Sequence, residues 1–317
     1  MIEYTIRRII AAIPVIFIVG LIVFFIVHMI PGNPAAVMLG DEATEEEVEA
    51  LTEKLGLNDP LPRQYVRWMG NALHGDLGDS LHYNKPVIET LFDKMEPSLI
   101  LVIYAIVISI IIGIPLGIIA AINRETLLDK ICMVISMIGI SMPSFWLGMN
   151  LVVLLAVKNS IFPSVGYTPI SENGIISSLY FLTLPAFALG LQRSASVARV
   201  TRSSMLEVLN NDYVRTARAK GLNEYSVIVK HALKNALIPV ITQIGISFAH
   251  LAGGAVAIET IFNIPGIGSL AFESIKRRDY PMIQGHILLI AAIYIFVNLL
   301  VDLLYKYVDP RIDYSSK

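Results

Sequence analysis

Six long apolar runs recur along the chain: Ile9–Ile30, Leu99–Ile122, Ile131–Val157, Ile175–Gln192, Ala236–Ile258 and Met282–Val301. Each approaches the roughly 20 residues that a helix needs to cross a hydrocarbon core, so the pattern predicts six membrane-spanning helices. The fourth run is the weakest, diluted by Ser177, Ser178 and Thr183. The first is 22 residues long. It exceeds the about 7–15 residues of a signal-peptide core and reads as a retained first helix. Pro14, Pro115, Pro143, Pro185 and Pro239 fall inside five of the six runs. Membrane helices tolerate proline where neighbours satisfy the freed carbonyls. Two readings stand: ordinary kinks, or bent helices that open and close a pathway.

Two polar stretches interrupt the pattern. The first, Pro31–Glu96, carries its own helix signals. Thr44-Glu45-Glu46-Glu47 is a capping box, predicting a helix to about Leu55 with a stop at Gly56. Pro60-Leu61-Pro62 opens a second helical stretch with Tyr65, Trp68, Met69 and Leu73 on one face. Pro86 is placed to start a third, Pro86–Met95. The second polar stretch is Arg193–Asn235. Asp212 is placed as an N-cap, Arg218 and Lys220 fall in the last turn, and Gly221 sits at the left-handed stop. Asn223 then caps a helix running through His231 and Lys234 into the fifth span. The result is a short helix tied at both ends to membrane helices. It either rests as a basic amphipathic helix on anionic lipid or serves as a handle for a soluble partner.

Composition narrows the class. Of 317 residues, 55% are hydrophobic and 16% charged, with a mean hydropathy of +0.66. Soluble domains average about 25% charged, so a soluble globular enzyme is excluded, as is a disordered chain. One cysteine, Cys132, excludes a disulfide framework and a cysteine-rich metal site. The net charge of −2 hides an asymmetry: Asp41–Glu96 holds 13 of the 26 acidic residues and balances at −8, whereas Arg199–Lys234 balances at +4.

Lys and Arg in short flanking loops set orientation. With the N-terminus inside, the inner segments hold 15 of the 24 basic residues. Six spans with both termini cytoplasmic are therefore favoured. Lys276-Arg277-Arg278, in a short outer loop, runs against the rule and is outweighed by Arg193–Lys234. The acidic outer loop is then a solvated small domain or a docking surface for an external partner. Polar residues within spans are functional candidates: His28, Asn150, Gln243, His250, Glu259, His286, Asn298 and Asp302. Glu259 and Asp302 lie near span ends, where water reaches. Gly253-Gly254 suits close helix approach or flexibility.

Several stretches carry a resemblance. Ala217 followed after three residues by Gly221, before the next-to-last span, looks like the "EAA" loop of ABC-importer permeases. Further stretches resemble the inner-membrane permeases of dipeptide, oligopeptide and nickel importers. These are Arg7-Arg8 with Pro31-Gly32-Asn33-Pro34; His74-Gly75-Asp76-Leu77-Gly78-Asp79-Ser80; and Thr201-Arg202-Ser203-Ser204-Met205-Leu206-Glu207-Val208-Leu209. To them are added Arg218-Ala219-Lys220-Gly221-Leu222, Glu259-Thr260-Ile261-Phe262 with Pro265-Gly266, and Arg277-Arg278-Asp279-Tyr280-Pro281. The likeness covers almost the whole chain and fits the first of that family's two paired permeases, the one with a large outer loop. Where the loop motif begins Glu-Ala-Ala, this chain has Arg215-Thr216-Ala217, so the Glu contact of distant permeases is not carried over.

The resemblance implies an all-α membrane protein with the type I ABC importer permease (MetI-like) fold. Residues 1–30 form the N-terminus and first span, 31–98 an extracytoplasmic helical domain, and 99–317 a five-helix core with the coupling loop 193–235. It implies a bacterial or archaeal inner membrane and ATP-driven uptake of di- or oligopeptides, with nickel, a nickel chelate or glutathione as alternatives. A P-loop needs Gly-Lys, and no Gly-Lys dipeptide occurs. The chain is therefore expected to be no enzyme and to bind no cofactor or metal, with ATP and Mg held in two cytoplasmic ATPase subunits. A second homologous permease, an extracytoplasmic solute-binding protein and the lipid bilayer complete the implied partners, and no nucleic acid is expected. Asp212, Tyr213, Arg215, Ala217, Arg218, Ala219, Lys220, Gly221 and Leu222 would form the ATPase-coupling helix. Gln243, Gly253, Gly254, Glu259 and Asn298 are candidates for a pathway or gate. Asp76, Asp79, Arg277, Arg278 and Asp279 are candidates for docking the binding protein. An intramembrane hydrolase would want His-Glu-x-x-His or a nucleophile with a base, and no His-Glu-x-x-His occurs. A passive channel has no use for a handle on the cytoplasmic side.

Overall fold

A computed structural model describes residues 2–29, 34–39, 43–54 and 56–308. Ile30, Pro31-Gly32-Asn33, Leu55, Arg311 and Lys317 lie outside the described residues. The chain divides into two compact units, Ile2–Glu96 with Gly266–Ile295, and Pro97–Pro265 with the stretch from Phe296 onward.

The first unit opens with α1 (Ile2–Met29), α2 (Pro34–Leu39), α3 (Glu45–Lys54), α4 (Leu61–Leu73) and α5 (Val87–Asp93). The capping box at α3 forms: the Glu47 carboxylate accepts from the Thr44 amide and hydroxyl, both at 3.0 Å, and the Glu47 amide donates back to the Thr44 hydroxyl at 3.3 Å. Gly56 takes the left-handed conformation, φ +64°. Pro60 precedes α4, and Pro86 is the residue before α5 rather than its first. On α4 the buried pair is Gln64 and Met69, while Leu73 is 61% exposed. The expected face therefore shifts. Tyr65 and Trp68 stack against Phe24 of α1, and the Tyr65 hydroxyl donates to the Phe17 carbonyl at 3.0 Å. Gln64 tolerates burial because its amide donates to the Leu57 and Asp59 carbonyls, with its oxygen 3.1 Å from His28.

The second unit contains α6 (Met95–Ile122), α7 (Leu127–Ser141), α8 (Ser144–Leu151), which continues as a π-helical turn over Val152–Val157, and α9 (Ile170–Leu209). After these come α10 (Asp212–Ala219), α11 (Glu224–Ser226) with a π-helical turn Val227–Ala232, α12 (Leu233–Gly254) and α13 (Val256–Ile261). The first unit resumes with α14 (Ile267–Arg277) and the start of α15 (Tyr280–Val308). α6 begins and α15 ends across the division.

Among the described residues, five helices are long and apolar enough to cross a membrane, within α1, α6, α9 and α15 and over Glu224–Ala252, which runs from α11 into α12. The count reaches six if the bent pair of α7 and Ser144–Val157, which meet at 95°, is taken as one broken span. The single run Ile131–Val157 is thus not one straight span. Pro143 supplies no amide and keeps Met142 extended, at φ −85° and ψ 124°. Pro14, Pro115, Pro185 and Pro239 stay inside continuous helices. The fourth span is longer than its apolar run, since α9 breaks at Gly174 (φ 74°) and continues to Leu209. The fifth starts earlier, at Glu224, and its helix ends sooner, at Gly254, before Ala255 turns into α13.

Glycine lets α6 and α9 close to backbone contact. A Cβ on Gly113 would stand 2.7 Å from the Ser194 carbonyl, and one on Gly117 2.6 Å from the Ala198 carbonyl. Gly190 returns the fit against the Ala105 carbonyl, also at 2.7 Å. Small residues at such seams replace the hydrophobic drive that lipid removes. Leu101, Leu182, Leu251, Ile258 and Phe262 fill the core nearby.

Candidate functional site

α10 starts one residue earlier than expected, because its cap is Asn211 and not Asp212. Asn211 holds the extended cap conformation, and Asp212 is the first helical residue, where a carboxylate favours the helix dipole. Likewise Arg218 lies in the last turn and Lys220 is the C-cap. Val214 and Ala217 are buried. They enter a seat made by Ala121 of α6, Met205 and Val208 of α9, and Val227, Ala232 and Ala236 at the start of the fifth span. Asp212, Tyr213, Arg215, Arg218, Ala219, Lys220, Gly221 and Leu222 are exposed. The apolar spacing of three residues, Val214 to Ala217, holds one face down and leaves the rest as an open polar surface.

Both ends of α10 are fixed. The Tyr213 hydroxyl accepts from the Asn235 amide at 2.7 Å. Arg218 forks onto Glu224, with its shortest bond at 2.7 Å, and that bond raises the guanidinium pKa above its ordinary value. Arg215 lies 3.5 Å from Asp212. Gly221 has φ +77° with no atom within 4 Å of where a Cβ would stand. Its constraint is therefore conformational, not spatial. Asn223 accepts from the Ser226 amide at 2.8 Å and caps the following helix.

The pathway candidates scatter along the second unit. Gln243 is half-buried, its amide 3.4 Å from the Ser247 hydroxyl. Gly253 and Gly254 close α12, and Asn298 is half-buried on α15. Glu259 is not open to water: it is 1% exposed on α13 and accepts from the Ser98 hydroxyl at 2.7 Å. A buried carboxylate needs such donors.

In the first unit the docking candidates converge. Asp279 is 1% exposed and turned inward. Its carboxylate accepts from the Ser80 hydroxyl at 2.5 Å, the His82 amide at 3.3 Å and, as a helix cap, the Met282 amide at 3.2 Å. Arg277 reaches the His82 ring at 3.1 Å, and the Tyr83 hydroxyl donates to Glu273 at 3.0 Å. Burial, then that bond, raises the Tyr83 pKa. Asp76 accepts from the Gly78 amide at 2.9 Å, while Asp76, Asp79, Arg277 and Arg278 stay exposed. Asp279 thus holds the segment in place, and its four companions keep an open surface.

Residues 113–314 match the family described as binding-protein-dependent transport system inner membrane component, and residues 1–113 match its N-terminal family. The chain belongs to this family of permeases.

Similar proteins place the permease within the peptide and oligopeptide ABC importers. It is 44% identical to the dipeptide transport system permease protein DppB of Alkalihalophilus pseudofirmus, over 99% of this chain and 100% of that one. It is 43% identical to the probable peptide ABC transporter permease protein y4tP of Sinorhizobium fredii, over 98% and 99%. It is 41% identical to the glutathione transport system permease protein GsiC of Escherichia coli K12, over 99% and 100%. The MetNI methionine ABC transporter, solved in inward-facing form, shares the fold at a TM-score of 0.57 and 18% identity, over 69% of this chain and 96% of that one. The permease is accordingly an all-α, multi-pass protein of the cytoplasmic membrane. Sequence reasoning missed Ser98 under Glu259 and the ion pair of Asp129 with Arg202. It also missed the α6 seam, although Gly113-x-x-x-Gly117 carries its signal.

Proposed function

We propose that this permease moves di- or oligopeptides inward, and that separate ATPase subunits drive it by gripping α10 and the Gly221–Leu222 turn. Support comes from one arrangement: α10 is seated by two apolar residues on three membrane helices, with its polar face left open. A push on that face reaches α6, α9 and α12 together. The relatives named for peptides and dipeptides support the substrate, and those named for glutathione make that peptide-like solute the second reading. ATP and Mg belong to the ATPase subunits. A second permease completes the path. In this topology both termini are cytoplasmic, and Asp76, Asp79, Arg277 and Arg278 face a solute-binding protein outside.

Purification through a tag on this chain is expected to bring down a second permease and ATPase subunits. In that complex, Gly221→Val is expected to leave assembly intact and lower peptide uptake per ATP, because a β-branched residue is strained at positive φ. Normal uptake per ATP in the variant, or recovery of a lone stable homo-oligomer, overturns the reading.

A further inference from the structure

The seat under α10 joins three helices and omits a fourth. Among the described residues, none of its apolar side chains comes from α7. Yet α7 is half of the broken span, the one most distorted from a straight crossing. α7 packs along α9, so closely that a Cβ on Gly139 would stand 3.3 Å from the Leu191 carbonyl, and beside that contact a cavity of about 140 Å³ lies between α6, α7 and α9, lined by Leu116, Ile135, Met142, Leu191 and Ala195 among others. Near its start α7 is fastened differently. Arg202 Nε donates to Asp129 Oδ1 and Nη2 to Oδ2, both at 2.7 Å. The Glu125 amide donates to the same carboxylate at 3.0 Å. Asp129 is 4% exposed and the Arg202 side chain 27%, so the pair is half-buried, with two parallel bonds fixing its geometry.

Arg202 stands one turn before Met205, a buried wall of the seat. The fork therefore ties the broken span to the α9 segment on which α10 sits. We infer that Asp129 and Arg202 are positioning residues that carry movement of α10 into the α7–α8 span. The inference rests on the reading of α10 as the coupling helix. The fork is the ionic link that, added to the α7–α9 packing, makes the cytoplasmic end of α7 follow α9.

The test uses the assembled importer, with second permease, ATPase subunits and binding protein, in proteoliposomes. Basal ATPase, ATPase stimulated by loaded binding protein, and uptake per ATP are read for Asp129→Asn, Arg202→Lys, the exchange Asp129→Arg with Arg202→Asp, and Gly221→Val. Coupling along packed networks changes with mutation by about twofold to thirtyfold. A fall of that size in uptake per ATP is expected for Asp129→Asn, and a smaller one for Arg202→Lys, which keeps charge but loses the fork. Partial recovery is expected in the exchanged pair. A merely structural role would lower yield and thermal stability while leaving uptake per ATP unchanged, and that result overturns the inference. Should Asp129→Asn fail to assemble, Arg202→Lys decides alone. If Gly221→Val uncouples and the fork variants do not, only the fork inference falls. If neither uncouples, the coupling-helix reading falls with it.

Discussion

Asp279 carries more structure than its neighbours because burial leaves a carboxylate no choice but protein donors. Ser80, His82 and Met282 supply them. Removing the carboxylate by Asp279→Ala leaves those donors in a water-poor pocket and is expected to cost about 1.5–3 kcal/mol, the range for bonds to charged groups. Faster proteolytic cleavage between Gly75 and Pro86 is the readout. Exposed Arg278→Ala, in the same short stretch, is expected to leave cleavage unchanged, and equal sensitivity in both would sink the distinction. The sequence made these two residues look alike, since adjacent charges give no hint of which turns inward. Gly221 was different. A lone glycine at the end of a polar helix already implies positive φ, and the structure places it at +77°.

Helices were legible where local signals sufficed. The capping box at Thr44, the stop at Gly221 and the Asn223 cap depend on residues three or four apart and formed as placed, whereas the cap of α10 moved from Asp212 to Asn211, which makes no side-chain cap bond. What escaped was built from distance. Asp129 and Arg202 are 73 residues apart, and each alone reads as a charge at the end of a span. The break at Met142-Pro143 escaped for another reason. Five prolines sit in spans, and only at Pro143 does the helix give way. The α6–α9 seam yields a direct test. Gly117→Ala places a methyl 2.5 Å from the Thr201 Cβ, and such overpacking is expected to destabilise the permease by about 1–3 kcal/mol. Gly70→Ala on α4 meets nothing within 4 Å and is expected to be neutral or stabilising by up to about 1 kcal/mol. Thermal unfolding of the two purified variants in one detergent checks the contrast, and equal midpoints would refute it.

For the whole molecule, uneven charge meets an interleaved fold. Acidic residues concentrate ahead of α6 and basic ones around α10, on stretches that the proposed topology puts on opposite sides. In a Cys132→Ser background, a cysteine introduced at Glu46 is expected to react with an impermeant maleimide on intact cells. One at Arg215 should react only after the membrane is opened. The reverse pattern would invert the topology while leaving the fold untouched.

Ser80 and Asp279 also lie far apart in time. They are 199 residues distant, so a ribosome making about 5–20 residues per second takes roughly 10–40 s to deliver the acid that the serine awaits. Until then the segment around Ser80 has left the first helix behind without its anchor. In the proposed topology, a chain stalled before residue 279 would expose that segment to extracytoplasmic proteases, and a finished one would hide it. On that topology, cleavage near Ser80 by a protease added outside would separate unfinished chains from finished ones.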